Sequence, residues 1–218
     1  KMTKGDKNND KIILSKGHAC LALYSILYEN NIISKEDMKS FEKPESSLLG
    51  HPIKNKEICI DFSTGSLGMG LGLGIGLAHA FKKKKVKKKV FVVLGDGECN
   101  EGSVWEALML APKLNLDNLC AIIDMNGFQQ TGSTNDILAN NNLVEKVSSF
   151  GWNLSTIDGH SYDDIYRSLE KKLTNNLPKI IIAKTIKGKG VSKFENNNEW
   201  HHSTLSEKIY EESLKELE

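Results

Sequence analysis

The stretch that most constrains this chain is VFVVLGDG, residues 90–97, where five consecutive apolar residues end in an aspartate between two glycines. A run apolar at successive positions has no face for water, which suits a strand buried on both sides of a parallel sheet. A second apolar run is LCAIID (119–124), and two more strand-like runs stand at NLSTID (153–158) and KIIIAKT (179–185). Helical patterns separate them. One runs from about Ser103 to Leu114, and another is SYDDIYRSLEKKL, with Ser161 and Asp164 spaced as a capping box. Strands alternating with helices predict an α/β fold: a doubly wound, mostly parallel sheet flanked by helices.

Upstream, residues 18–30 carry a helical apolar stripe, and Ser34 with Asp37 forms a second capping-box pattern. The glycine-studded segment 63–82 is long enough for a helix whose small residues permit close packing. The tract KKKKVKKK (82–89) reads as a solvated connection, the Asn-rich patches at 140–142 and 196–198 as loops, and the acidic residues after Thr204 as a helix. The 218 residues suit a single domain spanning 1–218. A net charge of +1 gives no reason to expect nucleic acid or a membrane surface as partner, and no apolar run is long enough to span a bilayer. Cys20, Cys59, Cys99 and Cys120 lack metal-ligand spacing and suit reduced thiols of a cytoplasmic protein.

Asp96 poses the functional question. Open parallel sheets bind ligands outside the carboxyl ends of their strands, so a carboxylate there suits a hard cation such as magnesium. A simple strand-to-helix connection also accounts for GDG taken alone. The next strand ends in IIDMNGFQQTG, and Asn126 offers a neutral amide oxygen at the same sheet edge. One carboxylate and one amide leave charge on the cation for an anionic ligand to neutralise. A diphosphate fits that role, with the helix starting near Ser103 adding a favourable dipole.

Five ordered motifs then carry a resemblance. LSKGHACLALYSIL (14–27), GHP (50–52), STGSLG (63–68), GDGECNEG (95–102) and KTIKGKGVSKFENNNEWH (184–201) resemble, in order, elements of the transketolase family. The resemblance implies a thiamine-diphosphate-binding fold, here as the amino-terminal, diphosphate-side subunit of a split transketolase. It implies thiamine diphosphate held with Mg2+ (Ca2+ as a substitute) by Asp96, the Asn126 side chain and the Phe128 carbonyl, within Gly95–Asp96–Gly97. His18, His51 and His201 fall on histidines lining the cofactor and substrate channel, and Gly65 and Leu67 on positions packed against the cofactor. Glu101 falls on a carboxylate used between paired active sites. The implied partners are a carboxy-terminal subunit supplying a pyrimidine-binding domain, in a heterotetramer with two copies of each chain, and sugar phosphates. Two-carbon ketol transfer would then require both chains. Histidines suit the proton transfers because their ordinary pKa lies near neutrality.

Some residues depart from the family pattern. Met69 stands where the family has Gln or His, and His202 where it has glycine. The family also places an SGH-containing segment before LSKGH, so the expectation is a chain truncated at its amino end; true loss would favour a non-catalytic assembly paralogue. The α-subunit of a 2-oxo acid dehydrogenase decarboxylase shares GDG and Asn, but LSKGH and GHP favour the transketolase reading.

Overall fold

The computed structural model describes residues 10–138 and 142–217. Five strands, β1 (Lys11–Leu14), β2 (Val90–Gly95), β3 (Leu119–Met125), β4 (Asn153–Asp158) and β5 (Lys179–Lys184), form one sheet in the order β1-β2-β3-β5-β4. Every neighbouring pair is parallel, as a doubly wound sheet requires. The helices are α1 (Cys20–Glu29), α2 (Lys35–Lys39), α3 (Met69–Lys83), α4 (Gly102–Lys113), α5 (Thr134–Ile137), α6 (Leu143–Ser148), α7 (Tyr162–Glu170) and α8 (Glu207–Leu217). The chain steps in one direction across the sheet from β1 to β3 and turns back from β4 to β5. With right-handed crossovers, that reversal puts α7 on the face opposite α3 and α4.

The apolar runs became strands for the reason their composition suggests. Five of the six residues of β5 are buried, whereas β4, at the edge, is half-buried and partly polar. β1 was not foreseen; KIIL is only four residues long and is held at the other edge by pairing Lys11–Leu14 with Val90–Val93. α3 lies on β2 because Gly74 carries no side chain: a Cβ there would overlap Val92 Cγ2. Leu71, Ile75, Ala78, Val92, Leu108, Ile123 and Ile180 join one core, in which each fully buried large aliphatic side chain contributes roughly 1.5–3 kcal/mol. The Trp152 indole N–H donates to the Leu108 carbonyl at 2.8 Å, fixing the entry to β4 against α4. A smaller cluster of Cys20, Tyr24, Leu27, Ile32, Leu48 and Ile60 packs under α1.

Ends of helices follow local chemistry, with one correction. Ser34 and Asp37 form the expected reciprocal capping box on α2. At α7 only half of the expected box forms: Ser161 Oγ accepts from the Asp164 N–H at 3.2 Å, while the Ser161 N–H is drawn to the Asp158 carbonyl by the turn leaving β4. The other end of α7 is closed by the buried Lys179, whose Nζ donates to the carbonyls of Ser168, Leu169 and Lys171 at 2.8, 3.0 and 2.9 Å. Residues 82–89 are largely exposed, as their charge requires. Of the Asn-rich patches, residues 140 and 141 lie outside the described residues; Asn198 opens a short 3-10 turn, Asn198–His201, rather than continuing a loop. The stripe expected over 18–30 divides into a 3-10 turn, Gly17–Ala19, and α1. Among the described residues no helix is long and apolar enough to cross a membrane.

Candidate active site

The carboxyl ends of β1, β2, β3 and β5 meet along one edge, and the motif residues lie there. The parallel register sets Gly95 beside Asp124, and the Asp96 N–H donates to the Asp124 carbonyl at 3.1 Å. Asp96 is 5% exposed. One of its carboxylate oxygens accepts from the Gly97 N–H at 2.8 Å and the other from the Gly127 N–H at 2.7 Å. Gly127 adopts a positive φ of 80°, which glycine allows at no steric cost and which lets its N–H face Asp96. This brings the GDG turn and the Asn126–Phe128 turn together, as the sequence predicts. The Asn126 Oδ1 accepts from the Phe128 N–H at 3.0 Å.

Burial pushes the Asp96 carboxyl above its ordinary range, and the Asp124 charge adds to this against the two backbone N–H groups and Lys16. A cation at this point would offset the desolvation of the buried carboxylate. Among the described residues no group of three or more His, Cys, Asp or Glu side chains is placed to hold a metal. Asp96 offers a carboxylate and Asn126 an amide oxygen, donors that suit a hard cation drawing its remaining oxygens from an anionic ligand. These residues therefore fit magnesium with a diphosphate better than a cation caged by protein alone.

Two lysines that the motifs do not single out complete the electrostatics. Lys16, 8% exposed, bridges to Asp124 at 2.6 Å, and the Thr185 hydroxyl donates to the other oxygen of the same carboxylate. Burial works to raise the Asp124 pKa, but the Lys16 charge and the hydrogen bonds from Lys16, Thr185 and Asn126 carry it below the usual range. Lys187 sits 3.0 Å from His201 Nδ1; burial first, then Lys16, lowers its pKa. Both lysines lie inside quoted motifs, one beside GH and one in KTIKGKG. Lysine is so common in this chain that nothing short of the fold marks them.

The three motif histidines gather at the mouth. His18 and His201 stack with ring centroids 5.4 Å apart. The Gly17 Cα approaches the Thr64–Gly65 backbone so closely that a Cβ would stand 3.0 Å from the Gly65 nitrogen, and one on Gly65 would stand 3.3 Å from the His51 ring. Leu67 is half-buried on the same loop. Burial first, then Lys16, His201, Lys187 and His51, pushes His18 down to about 4, although its outer edge is exposed. Burial, followed by Lys187 and Lys16, lowers His201 as well. Neutral imidazoles here can accept as well as donate protons. Glu101 stands apart: it is exposed, in the N-cap position of α4, with no side-chain cap bond. Met69 (53% exposed) and His202 also face outward.

Fold and edge together define a parallel α/β domain with a buried carboxylate and a histidine-lined mouth at the carboxyl ends of its strands. The chain belongs to the transketolase family: residues 4–217 match the family described as transketolase, thiamine diphosphate binding domain. It is 38% identical over 213 residues to an apulose-4-phosphate transketolase subunit of Phocaeicola vulgatus, covering 97% of this chain and 75% of that protein. To the 6-deoxy-6-sulfo-D-fructose transketolase subunit SqwG of Clostridium sp. it is 35% identical, covering 98% of this chain and 78% of that protein. The crystal structure of transketolase from Campylobacter jejuni superposes with a TM-score of 0.88 at 31% identity, covering 96% of this chain and 34% of that one. The chain thus spans about a third of the length of that transketolase and about three quarters of the two subunits.

Proposed function

We propose that this chain is the diphosphate-side subunit of a two-chain transketolase, transferring a two-carbon ketol unit between sugar phosphates. The observation that carries this reading is the convergence of Asp96, Asn126, Lys16 and Lys187 on one sheet edge beneath a mouth of three histidines. Further support comes from relatives that are named as subunits and are matched over about three quarters of their length. The required partner is a carboxy-terminal subunit carrying the pyrimidine-binding domain, in an assembly of two copies of each chain in the cytoplasm, and this chain is inactive without it.

In this reading Asp96, the Asn126 side chain and the Phe128 carbonyl hold Mg2+, or Ca2+ in its place, and Gly95 and Gly97 let the backbone come close to the diphosphate. Lys16 and Lys187 match its negative charge. Gly65 and Leu67 form the wall against which thiamine diphosphate packs. When bound, the cofactor supplies the electron sink for carbon–carbon cleavage, and the protein supplies placement and proton transfer. His18, His51 and His201 line the channel and hold or move protons at the substrate's oxygens; neutral His18 and His201 suit acceptance of a proton from a sugar hydroxyl. Glu101, exposed at the start of α4, contacts the paired active site.

The test is to purify the tagged chain gently from its own organism and identify what accompanies it. The reading requires a stoichiometric subunit with a pyrimidine-binding domain, and ketose phosphate consumption only with thiamine diphosphate and magnesium. A chain that recovers no such subunit and binds no cofactor would instead be a non-catalytic assembly paralogue.

A further inference from the structure

Glu98, the residue after GDG, is 3% exposed and none of the roles above uses it. Its side chain turns inward from the 3-10 turn Gly97–Asn100 and meets three donors from three separate parts of the chain. The Ser15 hydroxyl, just past β1, donates to Oε1. The Gly68 N–H, at the N-cap of α3, donates to the same oxygen at 2.8 Å. The Gly95 N–H, at the end of β2, donates to Oε2 at 3.1 Å. Ser15 Oγ is itself an acceptor for the Gly70 N–H at 3.1 Å, which commits its proton to Glu98. A set made wholly of donors needs a partner whose oxygens accept, and the carboxylate side chain of Glu98 supplies two such oxygens. Its charge also lies at the N-terminus of the fifteen-residue α3, where the helix dipole favours an anion.

The position of these donors gives the contact its meaning. Ser15 precedes Lys16, Gly95 precedes Asp96, and Gly68 closes the loop that contains Gly65 and Leu67. That loop is held at its other end by the backbone approach of Gly17 to Thr64 and Gly65, and the Ser103 hydroxyl donates to the Gly68 carbonyl at 3.1 Å. Gly68 has a φ of 81°, and a Cβ there would stand 2.6 Å from the Glu101 Cβ, so the loop has little room to settle elsewhere. We infer that Glu98 is a positioning residue: its buried carboxylate locks the Thr64–Gly68 loop to the ends of β1 and β2, and so sets the shape that receives thiamine diphosphate. This inference rests on the function proposed above.

The experiment uses the assembled two-chain enzyme carrying Glu98→Gln or Glu98→Ala. Glutamine keeps an acceptor for Ser15 and Gly68 but turns an N–H2 toward the Gly95 N–H; alanine removes both acceptors. Three measurements are made: thiamine diphosphate affinity by calorimetry with Mg2+, steady-state kinetics giving kcat and KM at saturating cofactor, and amide hydrogen exchange of the cofactor-free protein. Glu98→Gln should weaken cofactor binding on the order of tenfold, as the loss of one charge-assisted contact implies. It should leave kcat at saturating cofactor within about twofold, since the chemistry itself is untouched. Exchange should quicken across 64–70 and stay unchanged in β3 and β5. Glu98→Ala should weaken binding further than Glu98→Gln; if it fails to assemble, Glu98→Gln decides alone. Wild-type affinity and exchange in Glu98→Gln would overturn the inference while leaving the proposed function intact. Faster exchange throughout the sheet would reduce Glu98 to a general stabiliser and also overturn it. If the unaltered enzyme bound no thiamine diphosphate with Mg2+, the proposed function would fall and this inference with it.

Discussion

Substituting alanine for glycine at two nearby positions of α3 should move stability in opposite directions. Gly70 and Gly72 stand two residues apart in one helix, yet their surroundings differ. A Cβ on Gly72 would meet nothing within 4 Å, whereas one on Gly70 would overlap Ser15 Oγ and stand 2.8 Å from the Ser15 Cα. Gly72→Ala therefore gains only the helix preference of alanine, roughly 0.5–1 kcal/mol. Gly70→Ala, in the first turn, gains less than that and forces backbone apart, for which overpacking costs about 1–3 kcal/mol. Displacing Ser15 also loses its bond from the Gly70 N–H, about 1 kcal/mol more. The net loss for Gly70→Ala is about 1.5–3.5 kcal/mol. In a chain of this size each kcal/mol moves the melting midpoint by roughly 2–4 °C. Thermal melts of the purified protein, followed by circular dichroism, should show Gly72→Ala rising and Gly70→Ala falling. Equal shifts of the same sign, or a neutral Gly70→Ala, would refute the packing argument.

Other perturbations have defined outcomes. Asp96→Asn should fold with an unchanged far-ultraviolet spectrum and lose magnesium-dependent thiamine diphosphate binding by more than about a hundredfold, beyond the 10–100-fold typical of outer-shell changes; calorimetry checks it. Lys179→Met strips three carbonyls at the end of α7 of their donor, and urea unfolding should record a loss of roughly 1–3 kcal/mol. The His18 ring should titrate near pH 4 rather than near 6.5 in an NMR titration of the cofactor-free protein. Because the folded value lies below the unfolded one, the stability tied to neutral His18 is complete above pH 6.5 and is lost as pH falls through about 4. Thiol reagents should label the half-buried Cys59 before Cys20, Cys99 and Cys120, which are buried and whose thiols burial pushes upward, Cys120 to about 11.

Much of the fold was legible because a parallel sheet writes itself as continuous apolar runs. VFVVL, LCAIID and KIIIAK need no tertiary context to be read as strands, since water meets neither of their faces. KIIL at 11–14 was not legible: four residues after a polar segment carry too little pattern, and its pairing with β2 is what makes it a strand. The brief α5 and α6 escaped for the same reason. Asp96, Asn126 and the three histidines stood out because each is an unusual residue in an ordered motif. Lys16, Lys187 and Glu98 did not, because charged residues are ordinary on a surface; only the fold buries Lys16 and Glu98 and sets half-buried Lys187 beside His201. Glu98 in particular carries no sequence signal of its own; only the fold brings Ser15 and Gly68, eighty-three and thirty residues away in sequence, to converge on it.

The bridge between Lys16 and Asp124 joins residues 108 positions apart, and the bond from Thr185 to the same carboxylate spans 61. Contacts of such long range are late and slow to form, because loop closure must come before any of them is rewarded. The edge therefore comes into being only when β1, β2, β3 and β5 are all in place, and no partly folded chain presents it. A ligand that recognises the finished edge binds the native state alone, and mass action then draws the population toward that state. Vitamin supply would in that way act on how much of this protein survives in the cell as well as on how fast it turns over substrate.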